Sequence, residues 1–579
     1  MSSMNSLRSA PVTREQPLSV TKFVSRVSID IALLFFTAAA LANIVLVGIG
    51  IYKNYTPIPG YDEWLGTVGF LHQIANHDVS AWFSKFNDHR IVLQRISTWI
   101  DYDIFGGKNV FSLLFISCLY VAMIVAINWK TRKHLGARDS VIWTSIVTCI
   151  MLNWVQNQIM TWAFQVQFIG AYSFSVLSFI FYAESASVPD SKVPLALAII
   201  FGLFSAGSMA NGPLVFPVLV LQAILLKRNR SEIFGFTIIS VVIFSLYFYD
   251  KIFLPSTTGI PTGSLSSIAM FLLRLLGGPL WLPLGSDALC ICVGALCIIC
   301  TIVLLYLSFN ANRMTTARTF YIATLAFCLL SGVIISIGRS LAMEIFGLVM
   351  AYSSRYMIVP ILYWSSLLLL ALDLSRGAGT RAVMMAMVAP LIAVLTVYQW
   401  HAADDTSYLF DRKLGVLSYK IGLGRKELVP LIFVGYDRFL AEAAWAAANR
   451  VGVYGSLPWL RDAGAVQFDR AHEDDRRCYG VLERIDPDPR GDRISGWAVS
   501  RSGSANLLVL LVDREGRTVG YGVTGATRHD LESKGLPSES GWVGFAKVGS
   551  GRLTAYLYLD GRSCRLSEAT YSSPPAVRQ

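Results

Sequence analysis

Runs of about twenty apolar residues recur through the first two-thirds of this chain, more than any soluble core can absorb. A helix crossing a bilayer needs roughly 20 apolar residues. Eleven stretches approach or meet that length: 29–52, 109–129, 141–160, 165–183, 192–209, 213–227, 233–250, 287–308, 318–337, 356–373 and 381–399. The fold class they predict is a polytopic α-helical membrane protein with about eleven transmembrane helices. Charged residues make up 15% of the chain, whereas soluble domains carry roughly a quarter. The net charge of +11 invites a nucleic-acid reading. No basic stripe with interleaved aromatics supports one outside the apolar part, so nucleic acid is excluded as a partner.

Orientation follows from the charges between the runs. KTRKH (130–134), KRNR (227–230), NANRMTTAR (310–318) and LSRGAGTR (374–381) fall on one side when the first span starts inside, and that side is the cytoplasm. The polar, basic tail 1–27 precedes an apolar run too long for a signal h-region, so span one is expected to be a signal anchor with a cytoplasmic N-terminus. The segment 264–285 is apolar but carries Arg274, three glycines and two prolines. It is expected to re-enter or lie on the outer face, because counting it as a span would reverse the charge pattern.

After residue 400 the chain leaves the membrane. Residues 401–470 mix helical patterns with charged turns and form an extracytoplasmic linker region. From Cys478 the period becomes two, in short runs separated by PDPRGD, REGR and DGR, which predicts a β-sandwich over 471–579. Cys478 stands at its first strand and Cys564 just after its last full strand. Outside the cytoplasm they can form a disulfide; the alternative is two buried thiols. The other seven cysteines lie in apolar runs and read as packing residues. Trp497 and Trp542 read either as stacking residues for a glycan or as core.

Within the apolar part (28–400), the outer loop 53–108 concentrates the chemistry. Between Tyr61 and Asp103 it sets Asp62, Glu63, His72, Asp78, Asp88, His89, Arg90, Arg95, Asp101 and Asp103 among Trp64, Phe70, Trp82, Phe83, Phe86 and Trp99. Asp62 and Glu63 are neighbours, so on a helix they point roughly 100° apart and only one can face a substrate. An acid at a span end meets a mixed aqueous and lipid edge that favours its neutral form and makes it a usable base; the plainer alternative is a helix N-terminal acid. His89, Arg90 and Arg95 suit neutralisation of a lipid phosphate, against simple contact with headgroups. Their spacing lacks a metal-ligand set, so no metal is expected.

Two later boundaries add polar groups. NQIMTWAFQVQF (157–168) brings Trp162, Gln165 and Gln167 to the outer face, where with Trp64 they suit a sugar or acceptor, or hydrogen bonds between helices. SIGRSLAMEIFGLVMAYSSRY (336–356) brings Arg339, Glu344, Arg355 and Tyr356, which are functional candidates by position or loop-ordering ion pairs. MANGPLVFP (209–217) reads as a structural break.

DEW (62–64) after the first span, NDHR (87–90) in the same loop and GRS…SRY (338–356) before a late span resemble the GT-C superfamily of membrane glycosyltransferases. The resemblance covers roughly 28–400. It implies a polyprenyl-phosphate sugar donor, a glycan or lipid acceptor, no cofactor and a bacterial inner-membrane location. It further implies that Asp62, with Glu63 as substitute, is the base of an inverting transfer. Arg339, Arg355 and Tyr356 join His89, Arg90 and Arg95 around the donor phosphate. An acidic pair rather than a single Asp departs from the family pattern and leaves the base ambiguous. The competing expectations are a polymerase or ligase acting on lipid-linked glycans, a lipid or sugar transporter, which would need matching halves, and a non-catalytic receptor.

Overall fold

The computed structural model describes residues 20–568, apart from 88, 134, 189, 250–262, 312–313, 376, 404–405, 425–426, 429–435, 504–505 and 548–551. Asp88 of the NDHR motif therefore lies outside the described residues. Eight helices among those described are long and apolar enough to cross a bilayer: Ile29–Lys53, Val110–Arg132, Ala163–Ser185, Arg230–Tyr247, Leu265–Leu284, Asp287–Asn310, Thr316–Phe346 and Ala378–Ala402. A ninth is bent by 73° between Leu348–Tyr356 and Ile358–Leu374.

The expected count of eleven is not reproduced, and polar breaks explain the difference. The run 141–160 stops being helical at Met151, and the buried Asn153 accepts the Val155 N–H at 3.0 Å to cap the short turn Trp154–Gln156. The runs 192–209 and 213–227 become two shorter helices, Val193–Ala206 and Gly212–Leu225. At the break between them a Cβ on Gly212 would sit 1.9 Å from the Ser205 carbonyl oxygen, so only glycine permits that approach.

The segment after residue 264 is helical, yet both its ends stand at one end of the bundle. Ser267 hydrogen-bonds Glu344, near the C-terminus of Thr316–Phe346. Arg274 pairs with Asp287 at 2.8 Å, at the start of Asp287–Asn310. This is the end that carries the loop 53–108. At the opposite end, charges are neutralised in pairs: Lys130 with Glu184 at 2.6 Å, Arg318 with Asp373 at 2.9 Å and Arg381 with Asp139 at 2.6 Å. Such pairing lets ionisable groups sit against apolar helices.

The loop 53–108 is itself folded. A π-helical turn, Trp64–Val68, runs into the helix Gly69–Ala75, and an amphipathic helix spans Val92–Phe105. Val92–Phe105 turns Gln94, Arg95, Ser97, Thr98 and Asp101 inward and leaves Ile96, Trp99 and Ile104 exposed, whereas the first two elements bury Trp64, Phe70 and Leu71 against Leu414, Val416, Leu417 and Phe439. Those partners come from helices Ser407–Lys420 and Tyr436–Asn449, so the region 401–470 is part of a shared core and not a spacer. Burying each such side chain stabilises by about 1.5–3 kcal/mol.

The C-terminal strands are Cys478–Asp486 (β1), Asp492–Ser500 (β2), Leu508–Val512 (β3), Thr518–Ala526 (β4), Gly541–Ala546 (β5), Thr554–Leu559 (β6), Arg562–Arg565 (β7) and Ser567–Glu568 (β8). Instead of two packed sheets they form one, in the order β7-β6-β3-β4-β5-β2-β1-β8, antiparallel except where β8 joins β1. A disulfide between Cys478 and Cys564 ties β1 to β7 across that order, which rolls the sheet on itself. Both faces are consequently apolar. On β3, Leu508, Leu510 and Val512 face the helical core, while Val509 and Leu511 fill the inside of the roll. Trp542 is wholly buried there, and Trp497 is half-buried, in a T-shaped contact with the exposed Tyr479, 6.0 Å between ring centroids.

Candidate functional site

At the folded-loop end of the bundle lies a cavity of about 630 Å³. Its wall holds eight of the twelve residues named from the sequence: Asp62, His89, Trp162, Gln165, Gln167, Arg339, Arg355 and Tyr356. They come from four separate stretches, and each is held there for a local reason. His89 is placed by a two-way backbone bridge with Phe86 (2.8 and 3.0 Å) that turns through Asn87 at φ 51°. Arg339 rides on the last turns of Thr316–Phe346. Arg355 follows Ser354, whose hydroxyl bonds Asn157 at 2.6 Å and receives the Gln158 N–H at 3.2 Å. That clamp ties the 348–356 turn to the 157–168 segment and so to Trp162.

The acids divide as neighbouring side chains must. Asp62 turns to the cavity, with Oδ2 3.9 Å from Arg355 Nη1. Glu63 turns away and is buried. Its Oε2 accepts the Gly60 N–H at 3.0 Å and the Trp162 indole N–H at 3.0 Å. Burial pushes the Glu63 carboxyl up to about 7, against the Gly60 N–H, the Arg412 charge and the Trp162 bond, which all favour the anion. Just before them Tyr61 sits at φ 49°, a conformation costing of order 1–3 kcal/mol for a bulky residue. The Arg412 guanidinium, 5.5 Å from its ring centroid, and the Trp162 ring, in a T-shaped contact with 5.8 Å between centroids, hold it there.

Four predicted residues do not reach the cavity. Arg90 spends its guanidinium on the Phe83 carbonyl (2.7 Å) and the Tyr247 carbonyl (3.3 Å). Arg95 is buried, donates to the Ser84 carbonyl at 2.7 Å and lies 5.7 Å from the Phe70 ring centroid; burial, and then the nearby Arg90 charge, pull it down to about 10. Arg90 thus ties the loop to the end of Arg230–Tyr247 and Arg95 ties the loop to itself, and neither lines the cavity. Trp64 is a core residue, its ring 4.8 Å from that of Phe439. Glu63 stands behind the wall rather than in it. Other loop charges are structural too: Asp101 accepts the Asn109 and Ser112 N–H groups at 2.9 and 3.0 Å and caps the next helix, and His72 pairs with Glu442 at 3.1 Å.

Sequence reasoning missed Asn211, which lines the cavity from the Gly-Pro break. A buried amide beside a helix break was the available signal. It also missed Arg412, which no local pattern marks, because only the tertiary fold brings it to Tyr61. Among the described residues no three His, Cys, Asp or Glu side chains gather closely enough to hold a metal ion. What the arrangement offers is a carboxylate, two guanidinium groups, an imidazole and several amides around one space. No protein-family model matches the chain, and a search of curated proteins finds no relative.

Proposed function

We propose that the cavity binds a sugar carried on a polyprenyl phosphate and transfers it to a hydroxyl of a glycan or lipid acceptor. The observation that carries this reading is the meeting of Asp62 with Arg339 and Arg355 in one cavity at the end of an apolar helical bundle. In the transfer, the acceptor oxygen attacks the anomeric carbon and its proton passes to the Asp62 carboxylate. The bond from that carbon to the phosphate oxygen breaks, and direct displacement inverts the configuration. The leaving lipid phosphate keeps the electron pair, and Arg339, Arg355 and His89 offset its charge where it develops. Apolar side chains on one flank, Phe248, Ile334 and Ile337, suit the lipid chain.

On this reading the protein is a glycosyltransferase of the bacterial inner membrane, with the cavity on the outer face and the N-terminus in the cytoplasm. The disulfide and the position of the basic runs at the opposite end support that orientation. The test is the envelope glycan profile of a deletion strain. Loss of one sugar, restored by the wild-type chain and not by Arg355→Gln, supports the proposal. An unchanged profile in the deletion overturns it.

A further inference from the structure

The helix Val92–Phe105 is built inside out. An amphipathic helix on a water-facing domain turns its apolar stripe to the core and its polar face to solvent. Here the polar face is the inner one, and it finds its partners within the protein. Arg95 donates to the Ser84 carbonyl at 2.7 Å, the Ser97 and Ser112 hydroxyls bond at 2.9 Å, and Asp101 accepts the Asn109 and Ser112 N–H groups. Ile96, Trp99 and Ile104 (68% exposed) stand on the outside. The neighbouring turn Val79–Trp82, with its cap Phe83, adds Val79 (73% exposed) and Phe83 (62%). Trp82 meets Trp99 edge-on, with 6.3 Å between ring centroids, which joins turn and helix into one face. A contiguous apolar face left open in this way marks a contact surface.

Its place in the fold identifies what covers it. At the N-terminal end the Leu93 N–H donates to the Gly207 carbonyl at 3.3 Å, just past the helix Val193–Ala206. At the C-terminal end Asp101 caps Val110–Arg132. Both contacts are with the ends of apolar bundle helices, so the helix lies across the cavity end of the bundle, at the depth where spans leave a bilayer. Stacked rings carry the apolar surface onward, Phe105 to Phe111 at 6.1 Å and Phe111 to Phe115 at 5.8 Å. The span they lead into exposes Leu114, Val121 and Val125. Tyr102, Asp103 and Lys108, exposed around the last turn, are polar groups suited to headgroup level.

From this continuity we infer that the outward face of Val92–Phe105 and the 79–83 turn is seated on the bilayer leaflet at the cavity end, with Ile96, Trp99, Ile104, Val79 and Phe83 against the upper acyl chains. Interfacial helices bury their apolar side at this boundary of headgroups and chains. The seating goes beyond the reading of the cavity and does not depend on it. Where both hold, it matters for the donor. The Phe83 carbonyl holds Arg90 at 2.7 Å, one residue from His89 on the cavity wall, so the lipid-seated turn keeps that rim at the level of lipid phosphates.

The test uses the full chain in nanodiscs of a single phosphatidylcholine, with the photo-reactive residue p-benzoylphenylalanine in place of Trp99 or, in a second variant, of Ile104. Both positions are exposed, so either variant serves if the other does not fold. The control carries the same residue in place of Arg514, in the exposed turn between β3 and β4. After illumination, intact-protein mass spectrometry is expected to show the mass of one phosphatidylcholine added at Trp99 and at Ile104 and not at Arg514, with fragmentation placing the new bond on an acyl chain. Lipid adducts at Trp99 and Ile104 no more frequent than at Arg514 overturn the seating. So do adducts joining two protein chains through these positions, which assign the face to a second copy. No sugar donor is present, so failure here leaves the transfer reading standing, and failure of transfer leaves the seating standing.

Discussion

Asp62 and Arg355 face each other across the cavity with 3.9 Å between Oδ2 and Nη1. At that separation the pair is oriented without being locked, so the guanidinium remains able to turn to a phosphate. Arg355→Lys keeps the charge and loses the fork. The expected result is a rise of about tenfold in the donor concentration giving half-maximal transfer, measured in membranes supplied with a labelled polyprenyl-phosphate sugar, with protein abundance unchanged.

Glu63 gives a pH signature with a definite sign. In the folded protein its carboxyl keeps its proton up to about pH 7, against an ordinary 4.5. Between those values the folded state binds more protons than the unfolded one, so stability falls as pH rises through that window and levels off above it. The shift corresponds to about 3 kcal/mol. Glu63→Gln removes the penalty and still accepts the Trp162 indole N–H. Thermal melts are expected to show the variant more stable than wild type at pH 8 and close to it at pH 4.5. Equal melting differences at both pH values would contradict the burial of an ionisable Glu63.

Arg90 and Arg95 are expected to behave as ties and not as ligands. Each donates to loop carbonyls. Removing either by substitution with Ala leaves those carbonyls unmatched, at about 1–3 kcal/mol each. The melting temperature of the purified protein should drop for both variants. The half-saturating donor concentration of the remaining folded fraction should stay within about twofold of wild type. A selective loss of donor affinity without a loss of stability would return them to the phosphate site.

The Cys478–Cys564 bridge closes a loop of 86 residues in sequence separation. Loop-closure arguments assign such a link about 4.5 kcal/mol. Replacing both cysteines by Ser is expected to lower the unfolding temperature of the rolled sheet and to expose its segments to protease. The same double variant should leave the protease resistance of the helical bundle unchanged.

Much of this architecture was legible in the chain, and the rest fails for identifiable reasons. Apolar length marks bilayer-scale helices, but it does not see a break made by one amide, and Asn153 and the Asn211–Pro213 turn shortened three expected spans. Alternating strands look the same in two packed sheets and in one rolled sheet. The unbroken run of paired strands from β7 to β8, rather than the period, distinguishes them. The cavity wall was readable where polar residues stand at span ends, as with Asp62, Arg339 and Arg355. It was not readable for Arg90 and Arg95, because a guanidinium has the same letter whether a phosphate or a backbone carbonyl satisfies it. Trp64 was misplaced for a related reason. An aromatic beside an acid looks like a binding platform until the helix Tyr436–Asn449 is seen to cover it. The rolled sheet and the loop 53–108 share a core that no local pattern announces.

The most direct measurement is transfer of labelled sugar from a polyprenyl-phosphate pool to acceptor in membranes carrying wild type, Asp62→Asn or Glu63→Gln at matched abundance. The account expects Asp62→Asn to lower the rate by about 10² or more and Glu63→Gln to retain most of it. Full transfer by Asp62→Asn, or loss with Glu63→Gln alone, would contradict the assignment of Asp62 as the base.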